Sequence, residues 1–208
     1  NAQVLDGFED LFAKINLNEK IERMFAGDKI NKTENRAVLH TALRNMQTKA
    51  SVDGVSVLCE ISAVLNSIAE FSIEIRSGKR RGFTGKPLTQ VVCVGIGGSY
   101  LGPEFVFEAL RSDFRQNTCG GRTMRVLANV DPVDVGRALE GLDPESTLVV
   151  IVSKTFTTAE TMLNAETLKK WILAHYGLNS EKEIIDAHFC AVSTAIEKTS
   201  NFGISKVF

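Results

Sequence analysis

The 208-residue sequence is poor in the groups that build metal and redox centres. It has three histidines, His40, His175 and His188, too scattered to suggest a metal site, and each is expected to be structural. Its four cysteines, Cys59, Cys93, Cys119 and Cys190, show no C-x-x-C spacing. Cys93 and Cys190 fall in apolar, strand-like runs, where a free thiol behaves as a small hydrophobe. A reduced, cytoplasmic compartment therefore fits better than a secreted one. The net charge of −1 gives no bulk field to recruit nucleic acid or an anionic membrane, and neither is expected as a partner. No apolar run approaches the roughly 20 residues of a transmembrane helix. No basic stretch precedes an apolar core at the N-terminus, so no secretory signal is expected. The chain opens on Asn1 rather than Met, which is compatible with a start further upstream. Internal repeats and low-complexity tracts are also lacking.

What is present is ordinary globular material: 44% hydrophobic and 24% charged residues, enough to bury a full core. The length suits one large domain, or one domain with an appendage. Residues 1–49 read as a helical segment without strands, too small to be expected to fold alone. Leu5, Phe8, Leu11, Phe12 and Ile15 repeat at helical spacing, then Ile21, Met24 and Phe25. Asn31 and Glu34 resemble a capping box opening a helix through Val38, Leu39, Ala42 and Leu43. Val57, Leu58, Ile61, Val64, Leu65, Ile68, Phe71 and Ile75 mark one long amphipathic helix stopped by Gly78. The basic run Lys79-Arg80-Arg81 is expected to be a solvated face near a helix C-terminus. Gly82 to Pro87 is a turn-rich connector.

From Val91 the rhythm becomes strand, turn, helix. Strands are expected at Val91 to Val94, Arg125 to Asn129, Leu148 to Val152 and His188 to Val192. Helices are expected at Pro103 to Arg111, Val133 to Leu139, Thr158 to Tyr176 and, weakly, after Ser193. Asp131 and Asp143 each precede a Pro, as helix caps and turn starters do. Alternation of this kind implies a parallel sheet covered on both faces, with ligands beyond the carboxyl ends of the strands. Two polar loops fall there.

The first loop, Val91-Val-Cys-Val-Gly-Ile-Gly-Gly-Ser-Tyr-Leu-Gly-Pro-Glu104, carries Gly95, Gly97 and Gly98 for a sharp turn and close backbone approach. A dinucleotide fingerprint would need a third Gly where Tyr100 stands, and a P-loop would need Gly-Lys-Ser/Thr; both patterns fail. In the second loop, Ser153-Lys-Thr-Phe-Thr-Thr158, five of six side chains can donate a hydrogen bond. Thr157 and Glu160 have capping-box spacing, and Met162, Ala165, Leu168, Trp171, Ile172 and His175 line one face of the helix that follows. Four hydroxyls and a Lys exceed what a cap needs. A strand feeding them into a helix N-terminus makes an anion pocket, suited to one terminal phosphate on a small molecule. No acidic pair for Mg²⁺ is evident near either loop, which argues against phosphoryl transfer.

Val94-Gly-Ile-Gly-Gly-Ser-Tyr-Leu-Gly-Pro103 and Val152-Ser-Lys-Thr-Phe-Thr-Thr-Ala-Glu-Thr161 resemble the two signatures of the glucose-6-phosphate isomerase (phosphoglucose isomerase) family. Arg36-Ala-Val-Leu-His-Thr-Ala-Leu-Arg44 looks like that family's N-terminal helix, and Asn129-Val-Asp-Pro132 and Val192-Ser-Thr194 are also similar. Tyr100 and Ala159 stand where family members vary, often carrying Asp and Gln. The resemblance implies a sugar isomerase (SIS) domain of flavodoxin-like α/β topology over residues 50–208, after the helical segment 1–49. It implies interconversion of glucose 6-phosphate and fructose 6-phosphate in glycolysis and gluconeogenesis, by a cytoplasmic homodimer without metal or redox cofactor. Carried over by position, the phosphate groups would be Ser99, Ser153, Thr155 and Thr158 with the backbone N–H groups of Lys154 and Thr155. Gly98 would line the sugar side, and the whole substrate-binding set would be Gly98, Ser99, Ser153, Lys154, Thr155, Phe156, Thr157 and Thr158. The family's Glu base, its ring-opening His and Lys, and its enediol-supporting Arg come from a later region, so no catalytic residue is expected in this chain and it is expected to be inactive alone. Glu104 and Glu160, in helix first turns where a dipole keeps a carboxylate ionised, are poor substitutes. Two other readings are a non-catalytic SIS-type module sensing sugar phosphates and a Rossmann-type nucleotide binder, the latter disfavoured by the missing Gly.

Overall fold

The computed structural model describes residues 2–111, 120–177 and 180–208; Cys119 lies outside them. The chain divides into two compact units, Asn1–Ile68 and Ala69–Phe208.

In the first unit, helices α1 (Ala2–Lys14) and α2 (Leu17–Ala26) carry the expected apolar spacing, and Phe8 stacks on Phe12 at 5.9 Å. The predicted helix through Val38 to Leu43 does not form. Half of the Asn31–Glu34 box forms, with Asn31 Oδ1 accepting the Glu34 N–H at 3.3 Å. Yet Asn31 and Arg36 exchange backbone hydrogen bonds at 3.1 Å, and Asn35 adopts a left-handed φ of 51°. That closes a turn where an α-helix would have to propagate, and only a 3₁₀ turn at Ala42–Arg44 follows. Strands β1 (Ser51–Val52) and β2 (Val55–Ser56), which the sequence reading lacked, pair as a hairpin over Asp53-Gly54. Ala42, Ala50, Val57 and Ile61 form a small core here. Helix α3 (Leu58–Ser77) matches the predicted amphipathic helix and ends at Gly78, φ 73°.

The second unit is the α/β domain. Strands β3 (Gln90–Val94), β4 (Thr123–Leu127), β5 (Thr147–Val152) and β6 (Phe189–Val192) form one parallel sheet in the order β4-β3-β5-β6. Numbered within the sheet this is 2-1-3-4, the flavodoxin-like order, with its switch point between β3 and β5. Side chains alternate between faces, as the pleat requires. Val92, Val94, Leu127, Val149, Ile151, Phe189 and Ala191 point into a core shared with α5 (Pro132–Leu139), α6 (Ala159–Tyr176), α7 (Glu181–His188) and α8 (Ile196–Phe202). Val91, Leu148, Val150 and Cys190 face Phe71 and Ile75 of α3 and Phe208. Strands buried on both faces explain the unbroken apolar runs of β3 and β5. Burial pushes the Cys93 thiol up to about 11 and Cys190 to about 12, so both are inert packing groups at neutral pH.

Three boundaries differ. Helix α4 (Gly98–Arg111) begins ahead of Pro103, leaving that residue inside the helix and Glu104 beyond the first turn. β4 sits two residues earlier than predicted, and α7, unpredicted, takes His188 from the strand. The predicted caps at Asp131 and Asp143 are present: their carboxylates accept the N–H groups of Val133 at 2.8 Å and Glu145 at 3.0 Å. The basic run is engaged by the protein itself, and Arg80 also donates to the distant Asp186 carbonyl. Lys79 pairs with Glu74 at 2.9 Å, Arg80 stacks 5.1 Å over Phe71, and Arg81 donates to Gly78 O at 2.8 Å.

Candidate functional site

Because β3 and β5 are parallel neighbours in register (Val94 beside Ile151), the two loops leave the sheet side by side at one rim, at the switch point. Two glycines fit the first loop to its path. Gly97 takes φ 56°, and a Cβ on Gly95 would lie 2.9 Å from Ser99 O, closer than side chains tolerate. The chain thus doubles back onto the start of α4, placing Gly98 and Ser99 at its N-terminus. Space beside Gly98 is open, and the Ser99 hydroxyl takes no partner among the described residues.

The second loop is anchored from below. Ser153 N–H continues the ladder to Val192 O at 3.1 Å, and Phe156 N–H turns back to Ser153 O at 3.3 Å. Phe156 has a left-handed φ of 52° and drives its ring into the core, 5.8 Å from Phe202 in an edge-on contact. It serves the loop as an anchor, and only its backbone faces the rim. Such a turn in front of a helix gathers backbone N–H groups into an anion-binding concavity.

The hydroxyls are not spent on capping. The predicted Thr157–Glu160 box is absent: the N-cap is Thr158, and its side chain makes no capping bond. Thr157 Oγ1 instead shares a 2.8 Å hydrogen bond with Thr155 Oγ1, since the left-handed turn at Phe156 folds the two hydroxyls together. Ser153 Oγ is buried without a hydrogen-bond partner among the described residues. Among the described residues, no backbone carbonyl accepts from Thr155, Thr157 or Thr158 N–H. Lys154 is exposed. So Ser153, Thr155, Thr157, Thr158 and the α6 N-terminus lie at the same rim of the sheet as Gly98 and Ser99, with the Phe156 ring in the core.

Asn129, Tyr100, Glu104 and Asp134 line a polar cavity of about 280 Å³ above β4. Asn164 of α6 reaches the Asn129 carbonyl at 2.9 Å, a tie between that helix and the loop after β4 that sequence spacing does not reveal. A larger apolar cavity of about 600 Å³ runs along α4, past Val91, Phe107 and Met124. It holds none of these hydroxyls, so size and chemistry point to different places; the donor set decides for the loops.

The phosphoglucose isomerase family model matches residues 1–207. The chain belongs to that family. Among its relatives are the cytosolic glucose-6-phosphate isomerases of Zea mays, 56% identical over 190 residues, and of Arabidopsis thaliana, 51% identical over 204 residues. These alignments take in 90% and 97% of this chain but 33% and 36% of the relatives, so the chain spans about a third of their length. The crystal structure of a glucose-6-phosphate isomerase from Chlamydia trachomatis superposes with a TM-score of 0.75 at 26% identity, covering 98% of this chain and 37% of that one. As in this phosphoglucose isomerase family match, the helical segment and the α/β sheet fall within a single alignment. Among the described residues no helix is long and apolar enough to cross a membrane, and no cluster of three His, Cys, Asp or Glu side chains could hold a metal ion.

Proposed function

We propose that this chain supplies the phosphate anchor of a glucose-6-phosphate isomerase, an aldose–ketose isomerase acting on glucose 6-phosphate and fructose 6-phosphate in glycolysis and gluconeogenesis. The observation that carries the reading is the Ser153 hydroxyl, buried and unpartnered at the foot of a loop whose other hydroxyls are not used as caps. A buried polar group left unpaired costs about 1–3 kcal/mol, a cost that an accepting phosphate oxygen removes. Ser99, Ser153, Thr155 and Thr158, with the N–H groups of Lys154 and Thr155, would grip the dianion, Gly98 would line the sugar side, and Thr157 would hold the Thr155 hydroxyl through their shared hydrogen bond. Phe156 would hold the loop in shape. Binding the remote phosphate positions the reacting carbons for acid–base groups supplied elsewhere. Glu160, exposed beside the proposed phosphate, would repel it rather than act as the base. The names of the relatives support a cytosolic setting; the homodimer is part of the same proposal.

The double substitution Ser153→Ala with Thr155→Ala should weaken glucose 6-phosphate binding by about 100-fold in calorimetry, from two charge-assisted hydrogen bonds lost. Equal affinities for parent and variant would remove the pocket.

A further inference from the structure

The peptide between Lys154 and Thr155 is held from one side. Its carbonyl, on Lys154, accepts the Thr194 N–H at 3.2 Å, the Thr194 hydroxyl at 2.9 Å and the Ser193 hydroxyl at 3.2 Å. Three donors converge on an oxygen with two lone pairs. Ser193 is buried, and its Oγ also accepts the Ala195 N–H at 3.1 Å, which fixes the hydroxyl between two backbone groups. The next carbonyl, on Thr155, receives the Lys198 ammonium at 3.4 Å. The Lys154 carbonyl is thus drawn toward the turn between β6 and α8, and the Thr155 carbonyl toward α8 itself.

In a trans peptide the C=O and the following N–H point in opposite directions. Pulling the Lys154 carbonyl toward Ser193 and Thr194 therefore aims the Thr155 N–H at the other side, the open face of the loop. Were this peptide to rotate, a carbonyl oxygen would face the bound dianion in place of a donor.

We propose that Ser193 and Thr194 are positioning residues: by clamping the Lys154 carbonyl they present the Thr155 N–H to the phosphate. They touch no substrate themselves. The inference rests on the phosphate reading above and gives a second segment, far along the chain, a part in it. Donors fixed before the ligand arrives need no ordering on binding, which is where their contribution to affinity comes from.

The test uses the full 208-residue chain, glucose 6-phosphate as probe, calorimetry for affinity and the Thr155 amide resonance for local geometry. Thr194→Val keeps the shape and the N–H but loses the hydroxyl; Ser193→Ala loses the buried one. Each should weaken binding about threefold and the pair about tenfold, with the Thr155 amide shifted before any ligand is added. Thr194→Ser should restore affinity, and the melting temperatures of the two Thr194 variants should stay within about 2 °C of the parent. Unchanged affinity in the pair, while Ser153→Ala with Thr155→Ala loses it, overturns the clamp and leaves the pocket standing. A loss that tracks the melting temperature and is not rescued by Thr194→Ser assigns these residues to stability and overturns it too. No saturable binding by the parent chain removes pocket and clamp together.

Discussion

Replacing Phe156 with Ala should destabilise the α/β domain by about 3–5 kcal/mol, the usual cost of truncating a buried aromatic, and weaken sugar-phosphate binding well beyond that of any single hydroxyl variant. The ring is 4% exposed and packs on Phe202, itself in contact with Phe189 of β6. What makes the site unusual is its backbone. A φ of 52° on a non-glycine residue costs about 1–2 kcal/mol, and burial of the ring is what holds the residue there. Ala keeps the strain and loses the compensation, so the turn should relax and carry Thr155 and Thr157 with it. Phe156→Gly separates the two effects: it removes the strain as well as the ring, and should be less costly than the truncation alone would suggest. Urea unfolding with parallel calorimetry reads both quantities. An Ala variant with parental stability and affinity would mean that the loop keeps its form without its anchor.

The second large effect lies at the opposite end of the sheet. His188 is fully buried at the end of α7, with Nδ1 2.8 Å from Thr147 O and Nε2 3.0 Å from the Phe83 N–H. These partners assign a neutral ring, donating from Nδ1 and accepting at Nε2, with the Tyr176 hydroxyl at 3.1 Å. The imidazole ties the Gly82–Pro87 connector to β5 and α6. Burial is the main reason its pKa lies below the ordinary value; the Thr147 carbonyl, Glu145 and Asp143 oppose the shift, and His175 adds to it. For a His whose folded pKa is depressed, the stabilisation is complete above the unfolded value of about 6.5 and is lost as pH falls through the folded one. Unfolding free energy should therefore decline below pH 6.5 with a limiting slope of about 1.4 kcal/mol per unit. The carboxylates with lowered values, Asp143, Glu145 and Glu74, titrate at more acid pH and leave the interval from 5 to 6.5 to imidazole. His188→Ala should cost about 3–5 kcal/mol at pH 7.5, through a cavity and unpaired partners, and should flatten that slope. The same slope in parent and variant would assign it to another group.

Much of the second unit is legible in the chain because its pattern is redundant. The runs at Val91 and Leu148 are bounded by glycine and hydroxyl loops, and each strand is followed by a periodic helix, so alternation alone yields the parallel sheet and its ligand-bearing rim. Strand order is not local information; the alternation of elements does not give it, and it is the family resemblance that implies the flavodoxin-like order which places β5 beside β3. The errors have physical causes. Asn31 and Glu34 do form their side-chain bond, but the same bond serves a turn as well as a helix, and the return of the chain at Arg36 decides between them. Thr157 looks like a cap from its spacing to Glu160, yet the left-handed Phe156 turns its hydroxyl toward Thr155. Asp53-Gly54 between valines carries a hairpin signal, but the two-residue strands flanking it are too short to show alternation. At the site, the hydroxyl-bearing residues can be picked out by composition. The buried anchor and the clamp cannot, because Phe156 reads as one more apolar residue and Ser193 and Thr194 lie some forty positions away.

The strand order also sets a timetable for synthesis. A ribosome adding about 5–20 residues per second releases β3 and β4 well before β5, although β5 is the strand that covers β3 on its other side. In that interval the nascent polypeptide carries a half-built ribbon with a naked apolar margin, the kind of edge that chaperones cover and that neighbouring chains on a polysome can join. Slowing translation between Leu127 and Thr147 would prolong that exposure, whereas the same pause after Val192 would come when β5, the strand that covers β3, has already been made.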